Sequence, residues 1–199
     1  KENSLVIPHT ISRKNAEGKV SSTEKIRSQY QLNSDTPILL FNGTLDYLPN
    51  AKAVKNIAIL LIPELRKILT DFVIIVNGRI ENKEYLSLFN LTNENLIITG
   101  RVDNIEDYFL AANVYINAVN IGAGVQTKTL EALSYNLNVV CFGNMLNGIE
   151  KTLVENKLFI AEQGNWEEFA NKVVQALKQP NTITQSFFEY YSYQSQLSQ

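Results

Sequence analysis

The stretch Gly122-Ala123-Gly124-Val125-Gln126-Thr127-Lys128-Thr129-Leu130-Glu131 sets two glycines, a lysine and a glutamate close together. It follows Val114–Val119, which reads as a short strand, and runs into helical spacing at Leu130, Leu133 and Leu137. The glycines therefore fall on a strand-to-helix turn, with Lys128 in the first helical turn. The partial positive charge of a helix N-terminus disfavours lysine. A lysine there, beside glycines that let backbone N–H groups come close, makes sense if an anion docks on the turn. Phosphate is the usual anion at such a place. Lys128 and Glu131 share a helix face, and Tyr135 follows one turn on. Lys before Glu is the poorer order for a helical ion pair, which weighs against a purely structural surface pair.

The elements that must carry this turn read as alternating strands and helices. Ile38–Phe41, Phe72–Val76, Leu96–Ile98, Val114–Ala118, Asn138–Cys141 and Leu158–Ile160 are short apolar runs, the pattern of strands buried on both faces. Between them, helical spacing covers Asn50–Leu69, with an interruption expected at Pro63, then 81–89, 104–111 and 124–135. Asn165, with Glu168 three residues later, predicts a capped helix to about Leu177, ended by Gln179-Pro180. Residues 1–35 read as a lead-in with a short helix over Thr23–Tyr30, and residues 181–199 as a helical tail around Phe187–Tyr191. The expected fold is α/β: a Rossmann-like, doubly wound parallel sheet of about six strands over residues 36–180. Ligands of such sheets bind at the C-terminal strand ends. Those ends here are Gly43-Thr44, Asn77-Gly78, Gly100-Arg101, the 119–124 loop and Gly143-Asn144. A glycine sits at each, for close ligand approach or simply for a tight turn.

A length of 199 residues bounds the chain to one domain, or one domain with tails. A net charge of −2 gives no support to nucleic-acid binding or to a basic membrane patch. The single cysteine, Cys141, allows no internal disulfide and sits in an apolar run, as an inert buried thiol in a reducing, cytoplasmic setting would. The longest apolar run, Ile57–Ile62, is too short to span a bilayer. The chain opens on Lys1 rather than Met, so a piece of something longer is expected. After the first strand, Phe41-Asn42-Gly43-Thr44-Leu45-Asp46 lacks the glycines of a dinucleotide fingerprint. No Walker lysine loop, His/Cys cluster or Asp-x-Asp pair is present, so no metal site is expected. His9, after Pro8, reads as a solvated linker residue.

Residues 122–133 resemble the donor-binding motif of glycosyltransferase family 4, in its Gly-x-Gly-x-x-x-Lys-x-x-Glu-Ala form. Phe41–Asn50 is similar to the first strand and turn of that family's C-terminal domain, Gly100-Arg101-Val102-Asp103-Asn104 to its third-strand turn, and Leu5-Val6-Ile7 to its interdomain connection. The resemblance implies a two-domain GT-B enzyme, of which this chain is the nucleotide-sugar-binding half, the acceptor domain preceding Lys1. It implies that Glu131 holds the ribose hydroxyls. It sets Lys128 and the backbone of Gly122, Ala123, Gly124, Val125, Gln126 and Thr127 by the diphosphate, with Gly43 and Thr44 approaching the same phosphates. Arg101 and Val102 border the base. It also implies a retained anomeric configuration, no cofactor and no metal, with Lys128 stabilising the leaving diphosphate. By itself the fragment is expected to bind nucleotide weakly and transfer nothing. There are departures. Ala123 stands where many members carry a second glutamate, Gln126 where the subgroup commonly has arginine, and Thr44–Asn50 offers no cation. Two further readings stay open: a non-catalytic nucleotide-binding or scaffold domain, and another GT-B enzyme such as a nucleotide-sugar epimerase. Sugar, base and acceptor are not legible. Peripheral membrane association of a full-length protein is neither supported nor opposed.

Overall fold

The structure, a computed structural model, describes residues 11, 18–120, 127–146, 148–179 and 182–191, apart from the side chains of 145 and 155. The Leu5–Ile7 connection, His9, Pro180, residues 122–126 and the end of the tail lie outside the described residues.

Six strands form one parallel sheet: β1 (Ile38–Asn42), β2 (Val73–Asn77), β3 (Leu96–Gly100), β4 (Val114–Asn117), β5 (Asn138–Phe142) and β6 (Leu158–Ala161). Their order across the sheet is β3-β2-β1-β4-β5-β6. This is the doubly wound Rossmann order, and it reverses between β1 and β4. The alternation of strand side chains sends Leu39, Phe41, Ile74 and Val76 to one face, and Ile38, Leu40, Val73 and Ile75 to the other. The first face is covered by α2 (Leu48–Asn56), α3 (Ile62–Ile68) and α6 (Trp166–Lys178). The second is covered by α1 (Lys19–Gln29), α4 (Ile105–Ala111), α5 (Thr127–Ser134 within the described residues) and α7 (Gln185–Tyr190). With both faces covered, continuous apolar runs are what the strands require.

Most local expectations hold, with instructive differences. Pro63 does not break its helix. The chain widens to a π-helical turn over Ile57–Leu61, where the Ile62 N–H reaches back to the Ile57 carbonyl, and Pro63 enters α3 at its first turn, where its missing N–H costs least. Residues 83–91 wind as a 3-10 rather than an α-helix. The first helix begins at Lys19 rather than Thr23. Ser22 does not cap it: its hydroxyl is buried and donates to Asp107 Oδ1 (2.8 Å), while Lys25 pairs with Asp107 Oδ2 (2.6 Å), docking α1 on α4. Asn165 accepts from the Glu168 N–H (3.0 Å) at the start of α6, whereas the Glu168 carboxylate takes the Glu162 N–H (2.8 Å). In α7, Phe187 and Tyr191 just beyond it are fully buried against the sheet's second face, and the Glu150 N–H donates to Tyr191 Oη (2.8 Å). Cys141 is buried on β5, and burial raises its thiol to about 12, so it stays protonated. No helix among the described residues is long and apolar enough to cross a membrane.

One buried charge stands apart. Lys157 is fully buried, and its ammonium donates to the Asn136 carbonyl (2.8 Å) just beyond α5, where Asn136 takes the left-handed conformation (φ 64°). Burial lowers the Lys157 pKa to about 8. The unfolded chain then holds this proton up to about pH 10.5 while the folded one releases it above about pH 8. Stability from this group is therefore lost as pH falls through 8 and fully present above 10.5. The expected result is a rise in the unfolding free energy, measured by urea denaturation, between those limits, by at most about 1.4 kcal/mol per pH unit. Subtracting the profile of a Lys157→Met variant isolates it, and equal profiles would refute it.

Candidate functional site

The C-terminal ends of β1 and β4 flank the crevice where strand order reverses, the place at which doubly wound sheets bind ligands. β1 ends at Asn42, and the chain turns at Gly43, whose N–H donates to the Asn77 carbonyl (2.9 Å). Asn50, buried in the first turn of α2, donates from Nδ2 to the Thr44 carbonyl (2.8 Å) and so fixes the turn's far side. Leu45 donates to the Arg79 carbonyl (2.9 Å), and the Asp46 carboxylate takes the Glu81 and Asn82 N–H groups (2.9 and 3.0 Å). These bonds lock the turns after β1 and β2 together. Gly78 is the tightest point: a β-carbon there would overlap the Gly43 carbonyl and lie 2.8 Å from Leu45 Cγ.

Across the crevice, Lys128 extends from the second residue of α5 to the β1 turn. Its Nζ lies so close to Gly43 that a β-carbon at that position would overlap it, and the same β-carbon would sit 2.7 Å from Asn50 Nδ2. The ammonium is half-buried. Burial lowers its pKa from the ordinary lysine value, and the Glu131 carboxylate opposes the shift. A cation held partly out of water over a glycine turn favours negative charge beside it, and Glu131 supplies part of that. Glu131 is half-buried one helical turn on, and its charge also raises the Tyr115 hydroxyl, after burial itself.

Of the residues singled out by sequence, Gly43 and Lys128 are brought into contact, with Thr44 exposed beside them and Glu131 near Lys128. Thr127 is the exposed first described residue of α5, and Gly122, Ala123, Gly124, Val125 and Gln126 lie outside the described residues. Arg101 and Val102 sit after β3 on a separate groove of about 450 Å³, shared with Lys25, Tyr30, Thr99 and Tyr108. Neither Lys128 nor Gly43 lines it. Tyr135 turns to packing: its ring stacks on Phe109 (4.7 Å, 3°) and its hydroxyl donates to Glu106 (2.9 Å). Sequence reasoning named Asn50 and Asn144 only as parts of longer stretches and missed Gln163; the Asn144 and Gln163 amides both donate to the Asn120 carbonyl (3.0 Å each). The signal available for Gln163 was its place just past the end of β6.

A family model described as glycosyl transferases group 1 matches residues 36–179. The chain belongs to this family. The matched segment spans β1 to α6, and so contains the Gly43 turn, Lys128 and Glu131. No curated protein matches the chain by sequence. Among solved structures, the chain is similar to a glycosyltransferase from Rickettsia africae, with 17% identity, 98% of this chain and 51% of that one covered, and a TM-score of 0.66. Anabaena HepE, solved with UDP and glucose, gives 13% identity, 89% and 47% coverage, and a TM-score of 0.62. A mutant form of S. aureus TarM, solved with UDP among its ligands, gives 14%, 99% and 36%, and a TM-score of 0.62. At these identities the likeness establishes the fold, that of GT-B glycosyltransferase neighbours. The chain spans about half the length of these proteins or less.

Proposed function

We propose that this chain is the donor-binding, C-terminal half of a glycosyltransferase resembling family 4, moving a sugar from a nucleoside diphosphate to an acceptor held by a preceding domain. The observation that carries the reading is the Lys128 ammonium laid over the Gly43 turn at the reversal of strand order. Cleavage of a sugar–phosphate bond leaves a diphosphate with growing negative charge. A preorganised cation in a partly dry crevice stabilises that charge more in the transition state than in the ground state. Lys128 takes this role, and Glu131 receives the ribose hydroxyls. Arg101 and Val102, in the turn after β3, border the base. The reaction so assigned retains anomeric configuration and draws on no metal, the ammonium serving where a cation is needed. UDP in the HepE and TarM structures supports a uridine nucleotide as the first donor to try.

The test is calorimetry of the chain with UDP and with GDP across pH. Binding needs the ammonium, and burial lowers its pKa. Affinity is therefore expected to fall with rising pH earlier than an ordinary lysine, at about 10.4, would allow. Lys128→Arg, whose charge does not titrate in this range, supplies the baseline that removes titration of the base. No heat with either nucleotide at neutral pH would end the reading.

A further inference from the structure

β1, β2 and β4 all end in asparagine: Asn42, Asn77 and Asn117. Asn42 lies opposite Asn77 in register, and the β1–β4 register, with Leu40 opposite Tyr115, brings Asn117 to its other side. The outer two use their amide N–H groups inside the protein. Asn77 donates to Thr99 Oγ1 (2.8 Å), and Asn117 to Thr129 Oγ1 (3.1 Å). Asn42 is turned the other way. Its Oδ1 accepts from the Tyr115 hydroxyl (2.8 Å), and its Nδ2 has no partner among the described residues.

Tyr115 has no freedom to release it. The ring is buried and stacks on Phe109 (5.9 Å, 22°), which stacks in turn on Tyr135 (4.7 Å, 3°). With the hydroxyl fixed and Oδ1 committed to it, the planar carboxamide must aim Nδ2 away from Tyr115. Asn42 itself is only half-buried, and the next residue, Gly43, lies under the Lys128 ammonium. The turn from Thr44 to Asn50 carries no cation. A neutral N–H donor one residue from the glycine that Lys128 covers suits an anionic oxygen, without the cost of drying a second cation.

We propose that Asn42 is a ligand-binding residue of this site, its Nδ2 donating to a diphosphate oxygen of the nucleotide, and that Tyr115 is the positioning residue that sets the carboxamide's orientation. This rests on the nucleotide-binding reading above. Replacing both partners of a buried hydrogen bond with apolar groups of like shape is nearly neutral for folding. The double variant Tyr115→Phe/Asn42→Leu therefore removes the donor while leaving no orphan. Melting temperature and UDP affinity are measured for it, for Tyr115→Phe, for Lys128→Ala and for the unmodified chain. The double variant is expected to melt within a few degrees of the unmodified chain and to bind UDP about tenfold more weakly. Tyr115→Phe alone, which keeps the N–H but frees its orientation, falls between. Unchanged affinity in the double variant, with Lys128→Ala still weakened, overturns the assignment of Asn42 and leaves the nucleotide site standing. No UDP binding in the unmodified chain overturns both. A second measurement needs no variant: the Asn42 side-chain amide protons in the unmodified, isotope-labelled chain are expected to shift on adding UDP, and an unmoved pair refutes the contact.

Discussion

Lys128→Ala is expected to weaken UDP binding by one to two orders of magnitude while leaving thermal stability unchanged or slightly raised. Both halves follow from the position of the ammonium. Hydrogen bonds to charged groups contribute about 1.5–3 kcal/mol, or roughly ten- to a hundredfold in affinity. Here the cation is half-buried over the Gly43 turn, where water screens it less than at an open surface. In the empty protein the same burial is a cost, which is why the lysine's pKa is lowered. Alanine removes that cost along with the ligand contact. Binding sites commonly hold such a conflict between stability and function. Calorimetry with UDP and a thermal melt on the same samples check the prediction. Equal affinities, or a melting temperature that drops with affinity, would show Lys128 to be a structural residue.

Gly78→Ala has the larger expected effect on the fold, a loss of more than about 3 kcal/mol. The added methyl would overlap the backbone carbonyl of Gly43, and Leu45 Cγ would lie 2.8 Å away. A flexible side chain could yield; this carbonyl belongs to a turn fixed by the Gly43 N–H bond to Asn77 and the Leu45 N–H bond to Arg79. Relief requires the β1 turn to move, and with it the surface under Lys128. UDP binding should therefore be lost in whatever fraction still folds. Gly164→Ala is the control. Gly164 has positive φ (80°) and open space around it, so alanine there costs only about 1 kcal/mol of backbone strain. Urea denaturation of both variants separates crowding from conformational strain. Comparable losses would mean that the β1 and β2 turns relax, and that Gly78 is an ordinary turn residue.

The glycines at the strand ends show how far sequence reasoning reached. Each was open to two explanations, and they prove to have different ones. Gly43 is glycine because Lys128 and Asn50 crowd it, and Gly78 because another turn's backbone does. Gly100 needs its positive φ (72°). All three look alike along the chain, because neither a positive φ nor a crowding atom from another turn or helix can be read from the glycine itself. The resemblance set the Gly43 turn and Lys128 by the same phosphates, but not the direct packing of the ammonium on that glycine. Tyr115 gave no signal, and Asn42 none beyond its place in the first-strand stretch, since only the β1–β4 pairing brings the two together.

The order of residues alone determined the six strands, most of the helices between them and the place of Lys128 at the start of α5. Apolar periodicity, proline and glycine act within a few residues of themselves and can be read locally. Tertiary structure alone decided how closely Lys128 packs on the turn after β1, with Asn50 against the same glycine, and that Arg101 faces a different groove. Those facts depend on the order in which parallel strands assemble, with β1 beside β4. That order reflects crossover handedness and the covering of both sheet faces at once, a property of the whole chain that no short window carries.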